Sequence, residues 1–329
     1  MRVAFVSAKK RLGTVQAPFF RATDRYYISM GVLCLSLLPL YVIAAGSLGY
    51  KILLLLALTC VAGAATETLS SLITKKSIGY FGIGSWLLFP LMVPPGLPIW
   101  MSITCFVLSL IIAQSLFGGF GKHLVHPAVF GQLFLMINFA KQFNTSYIKP
   151  FGDPFFGFKV FSSMSFTDKT ALKLFSTGET LPLKEMLSGP HVGLVFEMFP
   201  YLIILAGVIY LLLGDVNYRT PIAFIITFVL MSMLGSALLP QTVMPLIPAV
   251  GGGGVLFYCF FIFSDRWTSP RTSGGRIIAG ITAAFVTILI RSFSSNAEGI
   301  MFAVLINYSF SPLYDELALY LKNLKRVSK

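Results

Sequence analysis

This sequence predicts an all-α polytopic membrane protein with about ten transmembrane helices, arranged as two inverted five-helix halves with broken helices. Three observations carry the prediction: the share of apolar residues, the recurrence of runs long enough to cross a bilayer, and matching interruptions in the two halves. Of 329 residues, 56% are hydrophobic and only 11% charged, and the mean hydropathy is +0.82. Soluble domains carry about 25% charged residues, so this chain lacks the charge to coat a water-facing surface of its size. A soluble enzyme, a disordered chain and a secreted disulfide scaffold are excluded. The net charge of +13 reads as basic loops held on the cytoplasmic side rather than as affinity for nucleic acid. Cys34, Cys60, Cys105 and Cys259 sit inside apolar runs without paired spacing, so neither a zinc site nor a disulfide framework is expected.

A helix crossing the roughly 30 Å hydrocarbon layer needs about 20 mostly apolar residues. A cytoplasmic N-terminal segment, 1–26, precedes a first half, 27–140, with runs at 27–46, 52–72, 80–95, 98–117 and 125–140. An extracytoplasmic loop, 141–193, follows. The second half, 194–318, has runs at 194–214, 220–238, 243–264, 277–291 and 298–318, and a basic tail, 319–329, ends the chain. No cleavable signal peptide is expected, because Lys9, Lys10 and Arg11 lie too far ahead of a first run of full spanning length.

The basic residues set the orientation. Arg2, Lys9, Lys10, Arg11, Arg21 and Arg25 lie before the first run, Arg266, Arg271 and Arg276 in one later loop, and Lys322, Lys325, Arg326 and Lys329 in the tail. Placing these in the cytoplasm puts both termini there; Lys51 and Arg291 then lie outside, with Lys141, Lys149, Lys159, Lys169, Lys173 and Lys184 of the long loop, where the charge rule is weak. The outside loop opens on Phe151, Phe155, Phe156, Phe158 and Phe161. It is too short and too apolar for an independent domain, so it is expected to lie against the membrane or a partner subunit.

The third run of each half is interrupted. The first contains Gly84-Ser85-Trp86, Pro90 and Pro94-Pro95-Gly96; the second contains Pro245, Pro248 and Gly251 to Gly254. Irregular backbone at membrane depth must face protein or a cavity, and paired interruptions mark places where ions or substrates bind near the midplane. The plainer alternative is a pair of turns between short helices.

Ionisable residues inside spans are costly, so each is a candidate site. Glu67 in the second run could ligate Na⁺ or take a proton; pairing with Lys75 or Lys76 is the bland alternative. Glu197, near the outer end of the sixth run, is either a second such group or an interfacial carboxylate. The turn from Phe117 to His123 includes Gly118 and Gly119 and precedes a helix start at His126-Pro127. It could cradle a flavin, a phosphate or an ion path at a helix N-terminus, or be a glycine-rich turn between packed helices. Ser273-Gly274-Gly275-Arg276 reads as a turn. His123, His126 and His191 are too scattered for a metal site.

The loop also holds Ser176-Thr177-Gly178-Glu179-Thr180-Leu181-Pro182-Leu183, small, polar and turn-prone. Thr177-Gly178-Glu179-Thr180 resembles the end of the flavinylation signal Asp-x-x-(Ser/Thr)-Gly-(Ala/Glu)-(Thr/Ser) in membrane subunits of ion-pumping flavoproteins. Further segments agree in order: His126-Pro127-Ala128-Val129-Phe130-Gly131, Asp265-Arg266-Trp267-Thr268-Ser269-Pro270 with Gly275-Arg276, Ile290-Arg291, Glu298 to Ala303 and Ser311-Pro312-Leu313. The chain is similar to the family that contains the D-subunit of the Rnf electron-transport complex and the B-subunit of the sodium-translocating NADH:quinone reductase, and closer to the Rnf type.

That resemblance implies a flavin-carrying component of an ion-translocating electron-transport complex in a bacterial-type inner membrane. FMN would be held by a phosphoester at Thr180, with Thr177 and Gly178 completing the signal read by an external flavin transferase. A second, non-covalent flavin such as riboflavin is a further expectation. Partners would be the other membrane and peripheral subunits, with Na⁺ or H⁺ as the ion moved. No catalytic side chain is assigned. The chain departs from the signal at Leu174, where the pattern has Asp, at the extra Leu181, and at His126, where the family has Asn. The alternatives are a secondary transporter with inverted repeats and a non-flavinylated membrane anchor of such a complex.

Overall fold

The computed structural model describes residues 26–75, 82–119, 125–151, 156–162, 167, 192–238, 243, 245–293 and 299–327. Among them every regular element longer than one residue is helical. The first half comprises α1 (Tyr26–Leu48), α2 (Lys51–Thr74), α3 (Ile83–Leu88), α4 (Ile99–Ser109), α5 (Pro127–Asn138) and a short α6 (Ala140–Thr145). The second comprises α7 (Pro200–Leu213), α8 (Arg219–Leu238), α9 (Leu246–Gly251), α10 (Val255–Phe257), α11 (Ser273–Phe293), α12 (Ile300–Ser309) and α13 (Ser311–Val327).

Four of these, α1, α2, α8 and α11, are long and apolar enough to cross a membrane. Their outward faces carry exposed rows such as Leu69, Leu72 and Ile73 on α2 and Ile226, Leu230 and Leu234 on α8. Apolar surface of that extent is tolerated only where lipid replaces water. Five shorter apolar helices complete the set. The protein is a multi-pass membrane protein.

Both interruptions expected from the sequence are present. α3 tightens into a 3₁₀ turn, Phe89–Met92, at Pro90, and the chain then leaves extended at Val93. α9 stops at Gly251, and Gly253 and Gly254 take φ of +64° and +67° before α10 begins. A side chain at Gly254 would overlap the Phe196 ring, and that ring stacks on Phe257 at 4.5 Å. The break is therefore a built, packed feature.

A similar order of helix pairs occurs before and after the 141–193 segment. α2 packs on α3 and α4, and α4 on α5; α8 packs on α9 and α11, and α11 on α12. α5 meets α12, joining the halves around one aromatic core that includes Phe89, Phe106, Phe196, Phe257 and Phe263.

Contacts sort the helix ends into two groups. At one end Tyr26 meets Trp267 edge to face at 5.9 Å, and Asn217 N–H donates to Ser264 at 2.9 Å. At the other, Phe151 N–H donates to Ser47, Lys51 N–H to Phe161 and Gly96 N–H to Ser146, each at 2.9 Å. The described part of the 141–193 loop thus packs on this chain's own helix ends and satisfies an orphan N–H at the start of α2.

The predicted run 298–318 is two helices, not one. It breaks at Phe310, and α13 follows with Leu313, Leu317, Tyr320 and Leu324 along one exposed stripe. Asp315 clamps α13 to the start of α11: its carboxylate accepts from Thr272 N–H at 2.7 Å, Thr272 Oγ1 at 2.6 Å and Arg271 N–H at 2.9 Å.

Partial burial pushes the Asp315 carboxyl up. The Thr272 side chain, the two backbone N–H groups and the Arg271 charge outweigh that and hold it below its ordinary value. The folded form thus binds its proton less readily than the unfolded one. The clamp's contribution is complete above the unfolded value of about 3.9 and is lost as pH falls through the lower folded value. At neutral pH, Asp315→Asn is expected to speed tryptic cleavage at Lys322 about threefold, since screening limits the contact to about 1 kcal/mol or less. Cleavage at the wild-type rate would show that the clamp does not hold α13.

Candidate functional site

Glu67 lies in the last third of α2 and is only 7% exposed. Its Oε1 accepts a hydrogen bond from Gln114 Nε2 at 2.7 Å. Gln114 sits where α4 continues as a π-helical turn, Leu110–Ser115. The third wall is the N-cap of α3: a side chain at Gly82 would overlap Glu67 Oε1 and come within 2.8 Å of Trp86 Nε1. Glycine at 82 therefore leaves the room that the carboxylate occupies. Thr59 donates to Trp86 O at 3.2 Å and fixes α3 against α2. Lys75 is the left-handed C-cap of α2, and Lys76 lies outside the described residues. A carboxylate, an amide and a break in helix geometry thus meet inside the bundle, and they offer hard oxygen ligands or a proton acceptor.

Glu197 is 7% exposed. It belongs to a 3₁₀ turn, Val195–Glu197, and its Oε2 accepts from Leu194 N–H at 3.4 Å.

Gly118 and Gly119 both take φ of +100°. Their N–H groups donate to Ser115 O at 3.1 Å and Gln114 O at 3.0 Å, closing the end of α4. His126 is the N-cap of α5, is 6% exposed and precedes Pro127 at the first helical position. Its carbonyl accepts from Phe130 N–H at 3.1 Å. The π-turn aims Gln114 at Glu67, and Gly119 closes back on the Gln114 carbonyl.

Thr177, Gly178 and Thr180, with Leu174 and Leu181, lie outside the described residues. Their flanks are anchored: Thr167 N–H donates to Tyr147 O at 3.0 Å, and Val192 packs on the core.

The second interruption has its own occupant. The Arg291 guanidinium, in the last turn of α11, donates to Ala249 O at 2.7 Å, Gly253 O at 3.0 Å and Gly252 O at 3.2 Å. It lies 5.9 Å from the Phe228 ring centre. A cation thus caps the negative end of α9. The motif Asp265 to Pro270 is a folded loop: Asp265 accepts from Trp267 N–H at 3.1 Å and Thr268 Oγ1 at 2.7 Å, and Arg276 Nε donates to Pro270 O at 2.8 Å. Buried Asn217 donates to Thr220 at 2.7 Å and to Ser269 at 3.1 Å, tying that loop to α8. Among the described residues no three His, Cys, Asp or Glu side chains group to hold a metal, and the cysteines are free.

Sequence reasoning missed Gln114, Gln132, Tyr258 and Asn217. A single polar residue inside an apolar run would have pointed to the two glutamines; nothing in the pattern singles out Tyr258.

Known proteins resemble this chain along most of its length. The D-subunit of the Na⁺-translocating ferredoxin:NAD⁺ oxidoreductase complex of Acetobacterium woodii is 25% identical over 308 residues, covering 91% of each chain. The D-subunit of the ion-translocating oxidoreductase complex of Cronobacter sakazakii is 29% identical over 301 residues, 81% of this chain and 86% of that one. The B-subunit of the Na⁺-translocating NADH-quinone reductase of Klebsiella pneumoniae is 28% identical over 271 residues, 81% of this chain and 66% of that longer relative. The family described as NQR2, RnfD, RnfE matches residues 14–320. This chain belongs to that family.

Proposed function

We propose that the chain is the flavin-carrying membrane component of an Rnf-type ion-translocating oxidoreductase complex. It holds FMN through Thr180 and couples electron flow to movement of Na⁺ or H⁺. The observation that carries the reading is the family match over residues 14–320, which takes in the Thr177-Gly178-Glu179-Thr180 signal. In this reading ten spans form two inverted halves in the inner membrane with both termini in the cytoplasm. The recurring helix pairs support the repeat, and the arginine-rich loop at the Trp267 end supports the orientation. In this reading Thr180 faces the exterior, where a flavin transferase acts; Thr167, which precedes the signal, bonds Tyr147 beside the Ser146–Gly96 contact at the other end, which supports it. Partners are the remaining membrane and peripheral subunits.

When bound, FMN supplies one- and two-electron transfer, and the phosphoester prevents its loss at an aqueous surface. The chain's own residues do the rest. Glu67, oriented by Gln114, takes up the ion or proton inside the bundle. The interruptions at Pro90 and Gly251 to Gly254 supply the backbone freedom for opening to either side. Gly118 and Gly119 enter as the hinge that ends α4, because their N–H groups already cap it.

The test is the intact mass and in-gel fluorescence of the purified, denatured protein. An FMN adduct that disappears in Thr180→Val at normal expression is expected. Protein without any flavin that exchanges a solute unaided would favour the secondary transporter, which the broken helices also suit. Flavin-free protein inside a working complex would make it a bare anchor.

A further inference from the structure

Among the described residues the helices relax into π-helical turns at two places, Leu110–Ser115 after α4 and Tyr258–Ile262 after α10. A π-turn re-aims the side chains around it, and such turns recur at functional positions. Each of these carries a buried polar side chain that reaches another span. Gln114 donates to Glu67 on α2 at 2.7 Å, and the Tyr258 hydroxyl donates to Gln132 Oε1 on α5.

Both pairs are incomplete. Gln114 Oε1 and Gln132 Nε2 have no hydrogen-bond partner among the described residues, although Gln114 is 5% exposed and Gln132 0%. Leaving a buried polar atom unpaired is costly, so such atoms mark water or a ligand. Here one orphan is an acceptor and the other a donor, the two ends that water can join.

Ser109, the last residue of α4, is fully buried. It precedes Gln114 by five positions, the hydrogen-bond step of a π-turn, so the two share a face. Its Oγ lies 3.0 Å from the point where a Cβ would sit on Gly131, the neighbour of Gln132. That hydroxyl donates to Phe106 O at 2.7 Å and keeps its lone pairs for an incoming donor.

We propose that Glu67, Gln114, Ser109, Gln132 and Tyr258 line one internal file of ordered water, running from the Glu67 corner to the core between the two halves. Water donates to Gln114 Oε1 and accepts from Gln132 Nε2, which leaves neither amide orphaned. The use of this file as the route of the coupled proton or cation rests on the function proposed above; the presence of the water does not.

X-ray radiolytic labelling tests the water directly, because hydroxyl radicals formed from bound water oxidise the side chains beside it. The sample is the protein in its native membrane assembly, read by mass spectrometry. Tyr258, 1% exposed, is expected to be oxidised, while Tyr308, 2% exposed and bonded to Ile262 O off this track, stays inert. Gln132→Met or Gln114→Met, close in volume, should cut Tyr258 labelling about tenfold through loss of one anchoring hydrogen bond. An inert Tyr258 in the wild type, or wild-type labelling in both variants, overturns the file. If labelling falls while ions moved per electron stay constant, the water stands and its transport role is refuted, with flavin content still testing the proposed function separately.

Discussion

Glu67→Gln is expected to cut ion movement per electron about a hundredfold, the low end of what a positioned ionisable group contributes to proton transfer. The substitution keeps the volume beside Gly82 and retains an amide oxygen to accept from Gln114. What it removes is the negative charge. Burying an ionisable group at membrane depth costs about 2.5–3.5 kcal/mol on insertion scales, and no apolar packing at this site needs that charge. On the function proposed above, the protein should therefore accumulate normally and keep its flavin while coupling fails. Ion uptake into vesicles, divided by electrons transferred, is the measurement. Unchanged coupling at unchanged expression would remove Glu67 from the path and leave it a structural carboxylate held by Gln114.

The second large effect concerns the broken helix of the second half. Arg291→Ala strips donors from the carbonyls of Ala249, Gly252 and Gly253 together. Those carbonyls are buried, and leaving a buried acceptor without its donor costs about 1–3 kcal/mol. A clear fall in the midpoint of thermal unfolding in detergent or nanodiscs is expected. Arg291→Lys should fall in between, because an ammonium lacks the planar fork that reaches several carbonyls at once. A midpoint equal to wild type in Arg291→Ala would mean that the end of α9 is capped by other groups. The same contact bears on ion binding: the carbonyl end of a broken helix can coordinate a cation, and here a tethered guanidinium already occupies it.

Much of the architecture was legible because a bilayer imposes its own grammar. Apolar runs near 20 residues place α1, α2, α8 and α11, and prolines and glycines place the interruptions at Pro90 and Gly251 to Gly254. The run at 298–318 misled, because hydropathy averages over Phe310 and cannot see that the stripe of Leu313, Leu317, Tyr320 and Leu324 belongs to a separate amphipathic helix. In the sequence Arg291 reads as a charge to be counted, and its reach back to α9 from the end of α11 was not legible there. The Thr177 to Thr180 signal was legible only as a pattern of residue types.

Composition and spacing alone determined that the chain lives in a membrane, roughly where it crosses, and that an acidic residue at 67 is out of place there. Only the tertiary structure decided what that residue meets, because its partner Gln114 is 47 positions away and is turned inward by a π-turn that no hydropathy pattern encodes. The pairing of Gln132 with Tyr258, 126 positions apart, has the same origin. Hydropathy reports the medium around a segment, one segment at a time. Which polar groups meet depends on helix rotation and register, and those are set by side-chain packing among all the spans at once.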